Sequence, residues 1–191
     1  MAGSDSRAIY NQLLAIRCRR GDRQAWQELI ARFEMPLFCY LRRLVRNEAD
    51  TWDVLQQTWL GAYRGIGSLH DPSTIAVWLH RIARNLAISH HRRGTGNRGV
   101  PEPLPDEALL PDAGDDPPDV QAEMFDDAQR VHRAMDHLSL AHREVLTLHF
   151  LQELSLDQMS GVLDVSIGTL KSRLHYARRA LRNVLEKEEV V

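Results

Sequence analysis

Lys171, His175, Arg178 and Arg182 follow one another at spacings of four, three and four residues. On a helix that advances about 100° per residue, they gather into one strip. Leu170, Leu174, Ala177 and Leu181 repeat that spacing about a quarter-turn away and supply an apolar face. No acidic residue interrupts 165–185. A cationic strip of this kind can hold phosphates and reach base edges while the apolar face docks on its own domain. The residues just upstream would position such a helix. Ser155 and Gln158 form a capping-box pattern that starts a short helix running to about Leu163. Leu163-Asp164-Val165 makes the turn, and Ser166 can cap the basic helix. This order predicts a helix-turn-helix.

A second strip lies upstream. Trp78, Arg81 and Asn85 are spaced three and four apart, about 90° from an apolar stripe of Ile75, Leu79, Ile82 and Leu86. Arg84, Arg92 and Arg93 add charge nearby. An aromatic ring, a cation and an amide on one strip can stack on a base, hold phosphate and read an edge. Taken alone, Trp78 reads more readily as a core residue than as a base-stacking one. Catalytic chemistry finds no such support. Among nine histidines, His90 and His91 are adjacent and diverge, and His142 and His149 lack carboxylate or thiolate company, so no metal site is expected. No Ser-His-Asp order, phosphate-cradling glycine loop or paired carboxylates stand out, which predicts a non-enzyme without a cofactor. Cys18 and Cys39 lack metal-type spacing and fit a reducing cytoplasm.

The elements that carry these strips read as helices throughout. Asp22 can cap a helix with an apolar face of Trp26, Leu29, Ile30 and Phe33. Pro36 can begin another that includes Leu37, Leu41, Leu44 and Val45. A third carries Trp52, Leu55, Trp59 and Tyr63 until Gly65 and Gly67, and a fourth begins near Thr74. Beyond Arg93 come Gly94, Gly96 and Gly99, then Pro101, Pro103, Pro105, Pro111, Pro117 and Pro118 among acidic residues. Such a segment buries too little to offset its ordering entropy and predicts a flexible linker. Helical pattern resumes near Val120 with Val131, Met135 and Leu138, and Ser139 caps a further helix through Val145, Leu146 and Leu148.

The expected architecture is therefore all-α, with two small helical domains, 1–95 and 123–191, joined by an acidic linker, 96–122. A net charge of −2 conceals how unevenly charge is placed. Residues 1–100 hold 15 Lys and Arg against 8 Asp and Glu, residues 101–127 hold 10 acids and no base, and residues 128–191 hold 9 bases against 8 acids. The domains are basic or locally basic and the bridge is strongly acidic. Neither a signal peptide nor an apolar run of membrane-spanning length is evident, so a cytoplasmic protein without membrane insertion is expected.

Ser166-Ile167-Gly168-Thr169-Leu170-Lys171-Ser172-Arg173-Leu174, with Ala177-Arg178 and Leu181, resembles the promoter-binding helix-turn-helix of the extracytoplasmic-function (ECF) sigma factors of bacterial RNA polymerase. Gly21-Asp22 with Ala25 and Leu29, then Asp53-Val54-Leu55-Gln56-Gln57-Thr58-Trp59, then Trp78-Leu79-His80-Arg81-Ile82-Ala83-Arg84-Asn85 resemble that family's polymerase-binding and promoter-melting domain. Together the two matches cover nearly the whole chain. The resemblance implies upstream-element contacts from Ser166, Thr169, Lys171, Ser172, Arg173, His175, Arg178 and Arg182. It implies melting-site contacts from Trp78, Arg81, Arg84, Asn85, Ser68 and His70, with the loop 67–73 taking up a base flipped from the non-template strand. It places Asp53, Gln56 and Gln57 on the clamp of the polymerase's largest subunit, with a further contact at the flap of the second subunit. Promoter DNA, core RNA polymerase and an anti-sigma factor are the implied partners, and the linker is expected to thread toward the polymerase active-site cleft.

Several positions depart from the family pattern. Thr51-Trp52 replaces Ala-Glu, Ser89 stands where an acid is common, Met159-Ser160 replaces Ile-Ala, and His175-Tyr176 replaces Arg-Ala. The last bears on promoter preference. A stand-alone helix-turn-helix regulator and a sigma mimic that titrates a regulator are the competing readings. The presence of Lys171, Arg178, Arg81 and Asn85 argues against the mimic.

Overall fold

The helices that begin at Arg23, Glu48, Leu140, Leu156 and Ile167 each start where a side chain satisfies one or two of their first free N–H groups. The computed structural model describes residues 2–45, 47–94 and 124–188, and among them no strand occurs. The amino-terminal half holds α1 (Ala2–Arg19), α2 (Arg23–Val45), α3 (Glu48–Gly65) and α4 (Ile75–Gly94), with short 3-10 turns at Ile66–Ser68 and Pro72–Thr74. The carboxy-terminal half holds α5 (Met124–Asp136), α6 (Leu140–Leu146), a π-helical turn (Thr147–Leu151), α7 (Leu156–Leu163) and α8 (Ile167–Glu188). The linker 96–122, the start of helix near Val120 and the side chain of Arg93 lie outside the described residues.

Gly21 and Asp22 together make the corner between α1 and α2. Gly21 sits at φ 81°, which costs glycine little. The Asp22 carboxylate accepts from Gln24 N at 2.9 Å and Ala25 N at 3.1 Å, and from Arg17 Nε at 2.8 Å. Those bonds, the one to Ala25 first, hold its pKa below the usual carboxylate range.

Contrary to the expected break, α2 runs straight through Pro36. A proline inside a helix costs about 3 kcal/mol. Leu29, Phe33, Leu37, Tyr40 and Leu41 are all buried on the same helix, at roughly 1.5–3 kcal/mol for each large side chain. Packing wins, and the helix stays whole.

The stripe expected on α3 is also displaced. Its buried residues are Thr51, Val54, Leu55, Thr58 and Ala62, whereas Trp52 is 40% and Tyr63 67% exposed. The threonines can be buried because each hydroxyl donates to the carbonyl four residues back, Asn47 O at 2.6 Å and Val54 O at 2.8 Å. The aromatics flank the bundle instead, Trp52 against Phe38 and Tyr63 against Trp26.

On α4 the fully buried residues are Ile75, Leu79, His80, Ala83 and Ala87, with Ile82 and Leu86 only partly covered. Its core face is wider than one stripe because a second domain covers its flank. α2, α3 and α4 pack together with α1 as one bundle, α5, α6 and α7 pack around α8, and α7 and α6 lie directly on α4 and α2.

Candidate nucleic-acid interface

The helix-turn-helix is built by local hydrogen bonds. Ser155 Oγ accepts from Gln158 N at 3.2 Å, and Gln158 Oε1 accepts from Ser155 N at 2.9 Å, closing the capping box. Asp164 ends α7 in the left-handed region at φ 58°. Ser160 Oγ then donates to Val165 O at 2.7 Å, fixing the exit of the turn. Ser166 Oγ accepts from Thr169 N at 3.1 Å and pairs with Thr169 Oγ1 at 2.9 Å, so both hydroxyls first serve to start α8.

Leu170, Leu174 and Ala177 are buried beneath α8, and Lys171, Ser172, His175, Arg178 and Arg182 are exposed. Ser172 Oγ donates to Gly168 O at 3.2 Å. Arg173 is half-buried and Thr169 partly so. The Arg178 guanidinium lies 5.2 Å from the ring centroid of Phe150, which the π-helical turn holds 53% exposed. That cation is stacked rather than adrift.

Arg81 and Asn85 are exposed on α4 and Trp78 is half-buried. The Trp78 ring rests over the end of α3, where a Cβ on Gly65 would stand 3.5 Å from Trp78 Cζ2. The neighbouring loop is anchored by buried Leu69 and by Asp71, whose carboxylate accepts from Ser73 Oγ at 2.7 Å and Ser73 N at 2.9 Å. Ser68 Oγ donates to Gly65 O at 2.7 Å, and His70 is exposed. Asp53, Gln56 and Gln57 are all exposed on the side of α3 away from its core.

Arg84 is placed differently from its neighbours. It turns into the junction between domains, where its Nε donates to Glu144 Oε1 at 2.9 Å and Nη2 to Oε2 at 3.4 Å. Tyr40 Oη donates to the same carboxylate at 2.9 Å. Burial, reinforced by Glu144, pushes the Tyr40 hydroxyl well above its ordinary pKa. Beside them Arg143 donates to Arg43 O at 2.8 Å and to Leu138 O at 3.0 Å. His80 bonds Ala76 O at 2.8 Å and Gln152 Oε1 at 3.4 Å and packs against the Tyr40 ring. None of Tyr40, His80, Arg143, Glu144 or Gln152 was marked by spacing, because their partners lie in the other half of the chain.

Two further features bear on binding. A groove of about 840 Å³ between the domains is lined by Arg32, Arg42 and Arg43 together with Phe33, Phe38 and Leu151. Among the described residues no group of three His, Cys, Asp or Glu side chains could hold a metal ion, and no helix is long and apolar enough to cross a membrane.

Comparison with known proteins matches both halves. The family described as sigma-70 region 2 matches residues 29–96, and sigma-70 region 4 matches residues 128–181. The RNA polymerase sigma-H factor of Pseudomonas aeruginosa is 28% identical over 183 residues, covering 92% of this chain and 94% of that one. The ECF RNA polymerase sigma factor SigE of Mycolicibacterium smegmatis is 30% identical over 173 residues, covering 87% of this chain and 65% of that one. Among solved structures, the sigma factor RpoE in complex with the anti-sigma factor NepR, from Bartonella quintana, superposes with a TM-score of 0.62 at 23% identity, covering 84% of this chain and 95% of that one. That likeness concerns the fold.

Proposed function

The chain belongs to the ECF type of sigma factors, and from that premise we propose that it directs core RNA polymerase to a set of promoters and opens them. The observation that carries this reading is the pairing of two exposed recognition strips on separate domains: Arg81 and Asn85 on α4, and Lys171, His175, Arg178 and Arg182 on α8. The α8 strip would lie in the major groove of the upstream element. The α4 strip and the loop with Ser68 and His70 would hold the melted strand, stacking and pairing with an extruded base. Asp53, Gln56 and Gln57 would seat α3 on the clamp of the largest polymerase subunit, and the carboxy-terminal domain would engage the flap of the second. The protein would contribute no catalytic step of its own and would work in the cytoplasm.

Restraint by an anti-sigma factor is part of the same reading. The groove with Arg32, Phe33, Phe38 and Leu151 sets a cation beside apolar surface, which suits an amphipathic segment with an acidic edge.

Transcription with purified core enzyme on fragmented genomic DNA tests the proposal. Wild type should give discrete promoter-specific transcripts, and Asp53→Ala with Gln56→Ala should lose core association at unchanged helix content. Tight duplex binding without core-dependent transcripts would instead make the chain a stand-alone regulator.

A further inference from the structure

We propose that Phe150 is a positioning residue for DNA binding: its ring holds the Arg178 guanidinium in place for a phosphate of the duplex that α8 meets. This role rests on the reading of α8 as the helix laid on DNA, and two independent observations carry it.

The first is where the π-helical turn puts Phe150. Gln152 N donates to Thr147 O at 3.0 Å, the longer bond that defines such a turn. Had α6 continued as an α-helix, Phe150 would lie three residues after Thr147 and four after Leu146, on the face that both bury. It is instead 53% exposed, next to fully buried Thr147 and Leu148. A large apolar ring left in water in this way forgoes most of what burial would contribute. Turns of this kind are rare and gather at functional sites.

The second is what the ring touches. The Arg178 guanidinium carbon lies 5.2 Å from its centroid. The half-buried His149 ring meets it at 73°, with centroids 4.7 Å apart. The phenyl ring is therefore braced by its own turn while it carries a cation from α8. A guanidinium stacks by its flat face, and its N–H groups lie in the plane of that face, so they stay available to grip a phosphate bidentately. An exposed arginine loses rotamer freedom when it binds, and a stacked one has lost part of it beforehand. Phe150 thus acts on DNA through Arg178 without touching it.

Duplex affinity of the full chain, measured without polymerase across a salt series, tests this. Phe150→Ala should weaken binding about two- to five-fold, the range of an exposed cation–π contact. The log–log slope should hardly change, because Arg178 keeps its charge. Phe150→Tyr, which keeps the ring, should retain wild-type affinity, and Phe150→Leu, apolar but without a ring, should match Phe150→Ala. In an Arg178→Ala background, Phe150→Ala should cost nothing further. Full affinity in Phe150→Leu, or equal losses with and without Arg178, would overturn the proposal; a ring that only props the fold gives the latter. Arg178→Ala by itself tests the reading beneath, and should flatten the slope by about one unit. A flattened slope with Phe150 uncoupled from Arg178 sinks the role of Phe150 alone, whereas an unchanged slope in Arg178→Ala sinks both.

Discussion

His80 shows how a single side chain can report on the junction. It is 2% exposed, and burial lowers its pKa despite its bonds to Ala76 O and Gln152. An unfolded histidine titrates near 6.5. At pH 6 the unfolded chain therefore binds more protons than the native one, and stability must fall as pH drops below about 6.5. Tyr40 does not titrate in this window, and Arg84, its pKa raised by Glu144 against the pull of burial, remains charged. His132, lowered by burial and by Arg43, adds a slope of the same sign. Through His80, thermal unfolding should thus be nearly flat from pH 7 to 8 and lose up to about 1.4 kcal/mol per pH unit below about pH 6.5. His80→Gln should reduce the slope, and an unchanged slope would remove His80 from the account. At this scale the sequence was legible where partners are local. Lys171, His175, Arg178 and Arg182 could be grouped by helical spacing alone. Arg84 could not be separated from Arg81, because Glu144 lies 60 residues away.

The elements were more legible at their ends than along their faces. Asp22, Ser139, Ser155 and Ser166 each cap the helix that their type and position suggested, because capping is decided within three residues. Faces are decided by what packs against them. Thr51 and Thr58 displaced the aromatics of α3 into flanking positions, and the burial of His80 and Ala83 widened the face of α4. Pro36 signalled a start that the packing of α2 overrode.

For α8 the consequence is a salt experiment. Lys171, Arg178 and Arg182 are exposed together, with Arg178 held over Phe150. Replacing all three by alanine should weaken duplex binding across sequences and flatten the log–log salt dependence by about one unit for each phosphate no longer neutralised. A triple variant with the wild-type slope would show that this strip does not meet the backbone.

For the whole molecule, composition foretold two helical units and an acidic bridge but not how the units would meet. No periodicity encodes the bonds between Arg84 and Glu144. Charge segregation is the large-scale feature that does carry a prediction. Residues 101–127, with 10 acids and no base, suit a channel whose cationic lining otherwise holds nucleic acid. Replacing those acids by Ser and Asn at constant length should alter the yield of short abortive RNAs and promoter escape more than promoter binding. Abortive patterns identical to wild type would leave the segment as a spacer.

The carboxylate of Glu144 joins the two halves of the chain through Tyr40 and Arg84 at once. Removing one member of such a buried group leaves the others without a partner, at a cost of about 3–5 kcal/mol. The stabilities of the two halves are therefore not separable, and a substitution in one is felt in the other.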